Sequence, residues 1–210
     1  MKKVISKLAV IMLFTFSFLL LTVFAQRQQS KNTSYNQFTD SRDGKTYKTV
    51  VIGTQIWMAE NLAYKASSGC WAYNNDTNNV ATYGYLYNWE TAKIVCPAGW
   101  HLPTDDEWVT LINYLDGEKV AGGKLKSTTG WDSPNTGATN ESGFTALPAG
   151  CYHDDSFYVL GMYADFWTAT VYTEKEKDAW YWFVYSGTKQ ALHLFMPKSH
   201  SFSVRCVKDK

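Results

Sequence analysis

The sequence predicts an α+β fold, because helical patterns come early in the chain and strand patterns come late. Residues 83–93 carry apolar and aromatic side chains at helical spacing. A second helix is marked by a capping box at Thr104 and Glu107, and Gly117 supplies its stop signal. The later strand candidates are residues 165–170, 179–185, 191–195 and 201–207. This order differs from the repeating β–α–β units of a parallel α/β fold.

A predicted β-hairpin begins the domain. A β-branched run at residues 47–52 follows an Asp-Gly turn signal, and a Gly-Thr pair turns it into a second strand at residues 55–58. Residues 66–82 are rich in Asn, Asp and Ser and have no periodicity, so we predict a loop there. Beyond residue 125, glycines and prolines break the chain into short segments until the late strands begin.

The first 25 residues resemble a signal peptide. Lysines precede a largely apolar run at residues 8–24, and the residues that follow fit cleavage at Ala25/Gln26. We expect residues 26–37 to form a polar linker and residues 38–210 to form one domain.

This leader predicts an extracytoplasmic protein, secreted or periplasmic. No cysteine lies near the predicted cleavage site, so we expect no lipid anchor and no stable membrane anchor after cleavage. The alternative is an uncleaved anchor, because a run of roughly 17 apolar residues lies at the lower limit for a spanning helix.

The charge balance argues against nucleic-acid partners. The chain has 20 basic and 19 acidic side chains, and removal of residues 1–25 would remove three of the lysines and no acid. The remaining chain is slightly negative and has no basic cluster. Nucleic-acid binding requires many phosphate-neutralising cations, and docking to an anionic membrane requires a basic patch.

Four cysteines, Cys70, Cys96, Cys151 and Cys206, are an even number in a chain predicted to be exported, which favours disulfides. Three pairings are possible. No two of these cysteines lie within four residues of each other, so the usual half-site of a structural zinc centre is missing and we predict no metal site of that kind.

A series of motifs covers nearly the whole predicted domain, from about residue 40 to residue 209. In order they are DGKTYKTVVIGTQIWMAENL, YGYLYNW, CPAGWHLPTDDEW, AGGKLKS with Trp131 after it, SGFTALPAG, FWTAT and FSVRC. In this order they resemble the Fibrobacter succinogenes major paralogous domain family, a bacterial extracytoplasmic module.

The resemblance implies a C-type-lectin-like fold, which the formylglycine-generating enzymes share. Such a fold has a small twisted antiparallel sheet, two helices and a long loop-rich region closed by pairing of the N- and C-terminal strands. The resemblance also implies a Cys96–Cys206 disulfide, which leaves Cys70–Cys151 as the second pair.

The same resemblance argues against catalysis. The related enzymes use a redox-active cysteine pair late in the domain, whereas here Cys206 falls at the structural position. Asp154 and Asp155, after His153, are the one local cluster of titratable groups and are candidates for ligand binding. The alternative interpretations are a solvated loop tip and, for the whole chain, a divergent enzyme of this superfamily.

Calcium is the one candidate cofactor, because sugar-binding lectin-like domains often bind sugar through a calcium ion. Asn74, Asn75 and Asp76 offer oxygen ligands. However, the carboxylate–proline–amide tripeptides of those lectins are missing, and residues 133–135 read Ser-Pro-Asn. We therefore predict no cofactor, with calcium at the Asn-rich loop as the alternative.

Aromatic side chains complete the candidate binding set. Trp71 and Trp131 lie in predicted loops, and strand alternation places Trp180 and Trp182 on one face of a strand. Either both faces of this strand are core, which is the favoured interpretation, or one is exposed and binds a ligand.

The sequence thus predicts a non-catalytic binding module that recognises a glycan or a cell-surface protein. Its binding residues are expected in the loops at residues 67–82, 127–140 and 151–158. The alternative is a structural or assembly component of the cell surface.

Overall fold

The computed structural model describes residues 34–210. The predicted signal peptide and the first part of the predicted linker lie outside these residues. The first strand begins at Tyr35. Residues 35–37, which were assigned to the linker from the sequence, therefore lie in this strand.

The described residues contain thirteen strands, four short α-helices and two single-turn 3-10 helices at Tyr73–Asn75 and Thr77–Asn79, the second capped by Asp76. The strands are β1 Tyr35–Thr39, β2 Thr46–Ile52, β3 Gln55–Met58, β4 Cys70–Trp71, β5 Leu86–Asn88, β6 Trp100–His101, β7 Cys151–His153, β8 Ser156–Tyr158, β9 Tyr163–Val171, β10 Asp178–Tyr185, β11 Leu192–Pro197, β12 Ser201–Ser203 and β13 Val207–Lys208. The helices are α1 Val80–Tyr83, α2 Trp89–Val95, α3 Asp105–Tyr114 and α4 Glu118–Leu125. The α+β class is confirmed.

The strands form two sheets rather than the single small sheet that was expected. One sheet has the order β1-β2-β3-β13-β6. The larger sheet has the order β11-β10-β9-β12-β5-β4, and the β7–β8 hairpin joins it through β12. The pairing of β9 with β12 is parallel, so the expectation of a purely antiparallel sheet was also wrong.

The predicted hairpin and the meeting of the chain ends are confirmed. Strands β2 and β3 pair antiparallel, with Val50 opposite Trp57. The C-terminal strand β13 pairs with β3, with Val207 opposite Trp57. Trp57 therefore lies between a strand from the beginning of the domain and a strand from its end.

The prediction of one helix over residues 83–93 was wrong in the first half of that range. Leu86–Asn88 form β5, which pairs with β12 and β4. The helix begins only at Trp89, where the Asn88 side chain caps it by accepting a hydrogen bond from Thr91 N at 3.0 Å. Helical spacing is a local signal, and here pairing with a strand more than 100 residues away overrides it.

The capped helix α3 is confirmed. Thr104 and Glu107 form the reciprocal capping box, and Trp108, Leu111 and Ile112 are buried along one face. Helix α4, which follows at once, was not predicted. Its Gly122-Gly123 pair weakens the helical pattern in the sequence, because glycine is a poor helix former.

The two glycines of α4 allow another part of the backbone to approach the helix closely. A Cβ atom on Gly122 would lie 2.0 Å from Gln190 O, and one on Gly123 would lie 2.3 Å from Gly137 O. Gly123 N also donates to Lys189 O at 2.9 Å. The helix is thus bonded to the segment that leads into β11.

The core has two main clusters, one on each face of the β9–β10 ladder. Phe166 and Trp182 lie on the face that packs against α3, in a cluster with Trp57, Trp108 and other apolar side chains. Trp167 and Tyr181 lie on the opposite face, in a cluster that includes Tyr47, Tyr87, Trp89 and Phe202. Strands β9 and β10 are therefore buried on both sides.

One disulfide, between Cys96 and Cys206, is confirmed. It closes a loop with a sequence separation of 110 residues. In the chain-entropy description, such a loop stabilises the folded state by about 4–5 kcal/mol. The expected second pair was wrong, because Cys70 and Cys151 are free thiols.

Arg205, next to this disulfide, is a fully buried cation. Its Nε donates to Asn61 Oδ1 at 2.6 Å, and its Nη atoms donate to the backbone carbonyls of Met58, Phe144 and Thr145. Burial lowers the pKa of Arg205 to about 9, which still leaves the guanidinium charged at neutral pH. No carboxylate of the described residues lies within ion-pair distance of it.

Asp165 is a buried acid in β9, opposite Phe183 of β10. Its carboxyl makes no hydrogen bond with another described side chain, and burial raises its pKa to about 7. The buried Cys151 thiol lies near enough for the Asp165 charge to act on it. Burial in the first place, and then Asp165, raise the pKa of Cys151 to about 12.

The close approach of α4 to residue 190 predicts that Gly122→Ala destabilises the fold. The added methyl group would collide with a backbone carbonyl, which cannot turn away as a side chain does. We expect a loss of about 1–3 kcal/mol in the free energy of urea unfolding. The control is Lys119→Ala, on the exposed face of the same helix, with an expected change within about 0.5 kcal/mol. Equal stabilities of the two variants would contradict the close approach.

The raised pKa of Asp165 predicts an unusual pH dependence. The unfolded chain releases this proton near its ordinary pKa of 3.8, whereas the folded chain keeps it up to about pH 7. The folded state binds the extra proton between these values, so the contribution of Asp165 to stability falls as the pH rises from about 4 to about 7. Asp165→Asn should remove this fall, which is on the order of 4 kcal/mol.

The measurement is the free energy of unfolding of wild type and variant at several pH values across this range. Asp154→Asn, at an exposed carboxylate, is the control and should follow the wild-type curve. Parallel curves for wild type and Asp165→Asn would show that the Asp165 carboxyl titrates alike in the folded and unfolded chains.

Candidate functional site

Six of the nine candidate binding residues come together on one side of the molecule. Trp71 lies in β4, with Asn74, Asn75 and Asp76 directly after it, and Asp154 and Asp155 form the tip of the β7–β8 hairpin. Strand β4 pairs with β5 and β7 pairs with β12, and β5 and β12 are neighbours in the larger sheet. The sheet therefore brings two distant loops together.

Aromatic rings join the two segments. Trp71 stacks on Tyr152 with ring centroids 4.6 Å apart and planes 24° apart. Tyr152 contacts Phe157 at 4.8 Å, and Phe157 contacts Tyr73 at 5.1 Å. We call Trp71, Tyr152, Phe157, Tyr158 and the adjoining polar tips the hairpin surface.

This surface is partly open to solvent. Tyr158 is 39% exposed. Trp71, Tyr152 and Phe157 are half-buried, while Tyr73 beneath them is buried. Partly exposed, stacked rings that rest on a buried ring form a rigid apolar platform.

The two acidic residues of the hairpin tip form its turn, and one of them accepts a hydrogen bond from Tyr152. Both have positive φ, 47° at Asp154 and 57° at Asp155, as a two-residue hairpin turn of the primed type requires. Asp155 Oδ1 accepts a hydrogen bond from the Tyr152 hydroxyl at 3.1 Å. The pKa of Tyr152 is raised by partial desolvation and by this carboxylate, so the hydroxyl remains a donor.

The Asn-rich segment is likewise shaped by turn chemistry. Asn74 and Asn75 have positive φ, and Asp76 Oδ1 accepts a hydrogen bond from Asn78 N at 2.9 Å. The side-chain amides of Asn74 and Asn75 are exposed and make no hydrogen bond to a described residue. They are therefore free to bond a ligand, whereas Asp76 already serves as a cap. The absence of a cofactor stays a prediction, with calcium at this segment as its alternative.

A histidine pair borders the hairpin surface. His153 stacks on Tyr158 at 4.3 Å and on His200 at 4.4 Å. The pKa of His200 is lowered by burial and by the neighbouring His153. The sequence did not reveal this pair, because the two histidines are 47 positions apart and each is isolated in its own segment.

The other three candidates lie elsewhere. Trp131 packs at the edge of the α3-side core, and its Nε1 donates to Ala146 O at 3.0 Å. Trp182 is buried and donates to Asp105 Oδ1 at 2.8 Å. Trp180 is half-buried and stacks on His193 at 4.2 Å.

The favoured interpretation of the aromatic strand, with both faces buried, is therefore confirmed along most of its length. Tyr181 and Trp182 are 5% and 2% exposed. An exposed aromatic row on this strand was the wrong alternative, and Trp182 is a core residue rather than a binding residue.

Sequence reasoning missed Tyr152 and Phe157, the partners that complete the hairpin surface. They lie opposite each other in the β7–β8 register. An Asp-Asp pair flanked by aromatic residues at symmetric positions is a hairpin signal that would have identified them.

Within residues 34–210, no three His, Cys, Asp or Glu side chains converge on a position suited to a metal ion. In the same range, none of the helices has the length and apolar character that a membrane crossing requires.

Comparison with known proteins identifies the family. No curated protein and no solved structure matches the chain. The family model of the Fibrobacter succinogenes major domain matches residues 50–208, which includes the hairpin surface, the disulfide and Arg205. The chain therefore belongs to the Fibrobacter succinogenes major domain family.

Proposed function

We propose that the chain is an exported, non-catalytic binding module of C-type-lectin-like fold that recognises a glycan through the hairpin surface. The observation that carries this proposal is the Trp71–Tyr152 stack, with exposed, free side-chain amides at Asn74 and Asn75 in the segment directly after Trp71. Aromatic rings provide flat apolar contact for the faces of sugar rings. Amides and carboxylates provide hydrogen bonds for the hydroxyl groups.

The preorganisation of the surface favours binding. Tyr152 is held by Trp71 on its ring face and by Asp155 at its hydroxyl. Less side-chain freedom is lost when a ligand binds to groups that are already fixed, which reduces the entropic cost of binding.

Export is supported by the disulfide and by the pattern of residues 1–25. Disulfides persist in oxidising compartments outside the cytoplasm. The Cys96–Cys206 bond ties the turn after α2 to the C-terminal segment. The lectin-like fold is supported by the pairing of β3 with β13 and by the long loop-rich stretch between α4 and β7.

The state of the thiols supports a non-catalytic role. A cysteine nucleophile must be a thiolate at working pH. Burial raises the pKa of Cys151 to about 12, and burial also raises the pKa of Cys70. Both thiols are protonated at neutral pH, and Cys206 is held in the disulfide.

A glycan-array screen of the oxidised chain from Gln26 to Lys210 tests this proposal. We expect binding that persists in EDTA, since ring stacking needs no metal. Trp71→Ala should weaken binding about tenfold or more, which corresponds to about 1.4 kcal/mol. The control is Tyr114→Ala, which removes an aromatic side chain that is 58% exposed on α3. Thermal unfolding of each variant checks that the fold is retained.

The other outcomes have distinct meanings. Binding that EDTA abolishes would contradict a metal-free stacking site and indicate calcium at residues 74–76. Binding that Trp71→Ala leaves unchanged would place the site elsewhere. A chain that binds no glycan would contradict the proposal and favour a protein partner.

A further inference from the structure

A cleft separate from the hairpin surface lies between the N-terminal hairpin and the loop that precedes β7. Its volume is about 350 Å³, and its walls include Tyr35, Lys45, Lys48, Glu60, Asn61 and Thr145. This volume falls at the lower end of the range for small-molecule sites, about 300–1,000 Å³. None of the nine individual candidate residues lines it, although the predicted binding loops at residues 67–82 and 127–140 contribute Val80, Ala81, Thr82 and Asn140 to its walls.

The free hydrogen-bonding groups of the cleft are mainly cationic. No carboxylate of residues 34–210 lies within ion-pair distance of the Lys45 or Lys48 ammonium, and neither ammonium donates a hydrogen bond in this range. Their nearest aromatic contacts are long, with Lys48 Nζ 6.0 Å from the centre of the Tyr35 ring. Two flexible donors are thus available to a ligand.

On the other walls, the polar side chains of Asn61 and Thr145 are already used within the protein. Asn61 accepts from Arg205 and donates to Tyr83 O and to Ser203 Oγ. The Thr145 hydroxyl contacts the Tyr35 hydroxyl at 3.3 Å and donates to Gly143 O. These groups shape the cleft but offer little to a ligand.

The charge of the site is positive. Glu60 is the carboxylate among the lining residues, and its Oε2 accepts from Lys48 N at 2.6 Å. Behind the wall, the buried Arg205 guanidinium is bonded to Asn61 Oδ1 and Thr145 O, both from lining residues. Two ammonium groups and a guanidinium therefore outweigh one carboxylate, and the surplus charge attracts an anion.

We infer that this cleft binds a small carboxylate-bearing sugar. The carboxylate would accept hydrogen bonds from the Lys45 and Lys48 ammonium groups. The Tyr35 ring, which is 39% exposed, would contact the sugar ring. The cleft is a second site, and it does not depend on glycan binding at the hairpin surface.

Titration of the oxidised, ¹⁵N-labelled chain from Gln26 to Lys210 with galacturonic acid tests this inference, with galactose as the uncharged probe. We expect galacturonate to shift the amide signals of Lys48, Glu60 and Thr145 with a millimolar dissociation constant, and galactose to bind at least tenfold more weakly. The galacturonate affinity should fall as salt is added, because salt screens exposed charges.

Four variants sharpen the test. Lys45→Gln combined with Lys48→Gln should weaken galacturonate binding about tenfold or more, while Glu60→Gln should strengthen it several-fold. Lys119→Gln, at an exposed lysine of α4 outside the cleft, and Trp71→Ala, on the hairpin surface, should leave it unchanged. The inference is overturned by equal affinities for galacturonate and galactose, by galacturonate shifts confined to other residues, or by no shift at all.

Discussion

The guanidinium group of Arg205 joins three parts of the chain that are far apart in sequence. It bonds the end of β3 and the segment after it through Met58 and Asn61, and the loop before β7 through Phe144 and Thr145. Its carbon lies 4.5 Å from the centre of the Phe144 ring, so the charge also rests on an aromatic face. A buried charge without a carboxylate partner is costly unless its donors are hydrogen-bonded, and here the guanidinium donates four hydrogen bonds.

The positions of both proposed sites follow from this junction. Asn61, held by Arg205, donates to Tyr83 O at 2.8 Å, and Tyr83 ends the segment that begins with Trp71 and Asn74. Cys206, which directly follows Arg205 in the chain, forms the disulfide with Cys96. The C-terminal segment therefore fixes the loops that carry the hairpin surface on one side and the walls of the cationic cleft on the other.

Local signals in the sequence predicted the parts of this fold that are local. The capping box at Thr104 and Glu107 needs only four residues, and the β2–β3 hairpin needs one turn. The strand at Leu86–Asn88 was misread as helix because its partner β12 lies more than 100 residues further along the chain. Helix α4 was missed because Gly122 is required by contact with residue 190, which no local pattern reveals.

The residues of the candidate sites likewise fall into those that local sequence features pointed to and those whose role depends on contacts distant in sequence. Trp71 and the Asp154-Asp155 tip became candidates because their residue types stand out in the sequence. Tyr152 was not singled out, since only its contact with Trp71 gives it a role. Arg205 and Lys126 were beyond sequence reasoning, because charged side chains are normally placed at the surface. Lys126 is fully buried, and its ammonium donates to the carbonyls of Thr136, Tyr185 and Thr188.

The most direct test of the Arg205 junction is the free energy of unfolding of Arg205→Met, measured with the disulfide intact. Methionine fills much of the space but leaves Asn61 Oδ1 and three backbone carbonyls without their donor. Each buried unsatisfied group costs about 1–3 kcal/mol, so we predict a loss of at least about 3 kcal/mol. Some buried charges can be replaced by apolar residues with no loss or with a gain in stability. A variant as stable as the wild type would show that Arg205 is such a case and would contradict its role as the junction of the fold.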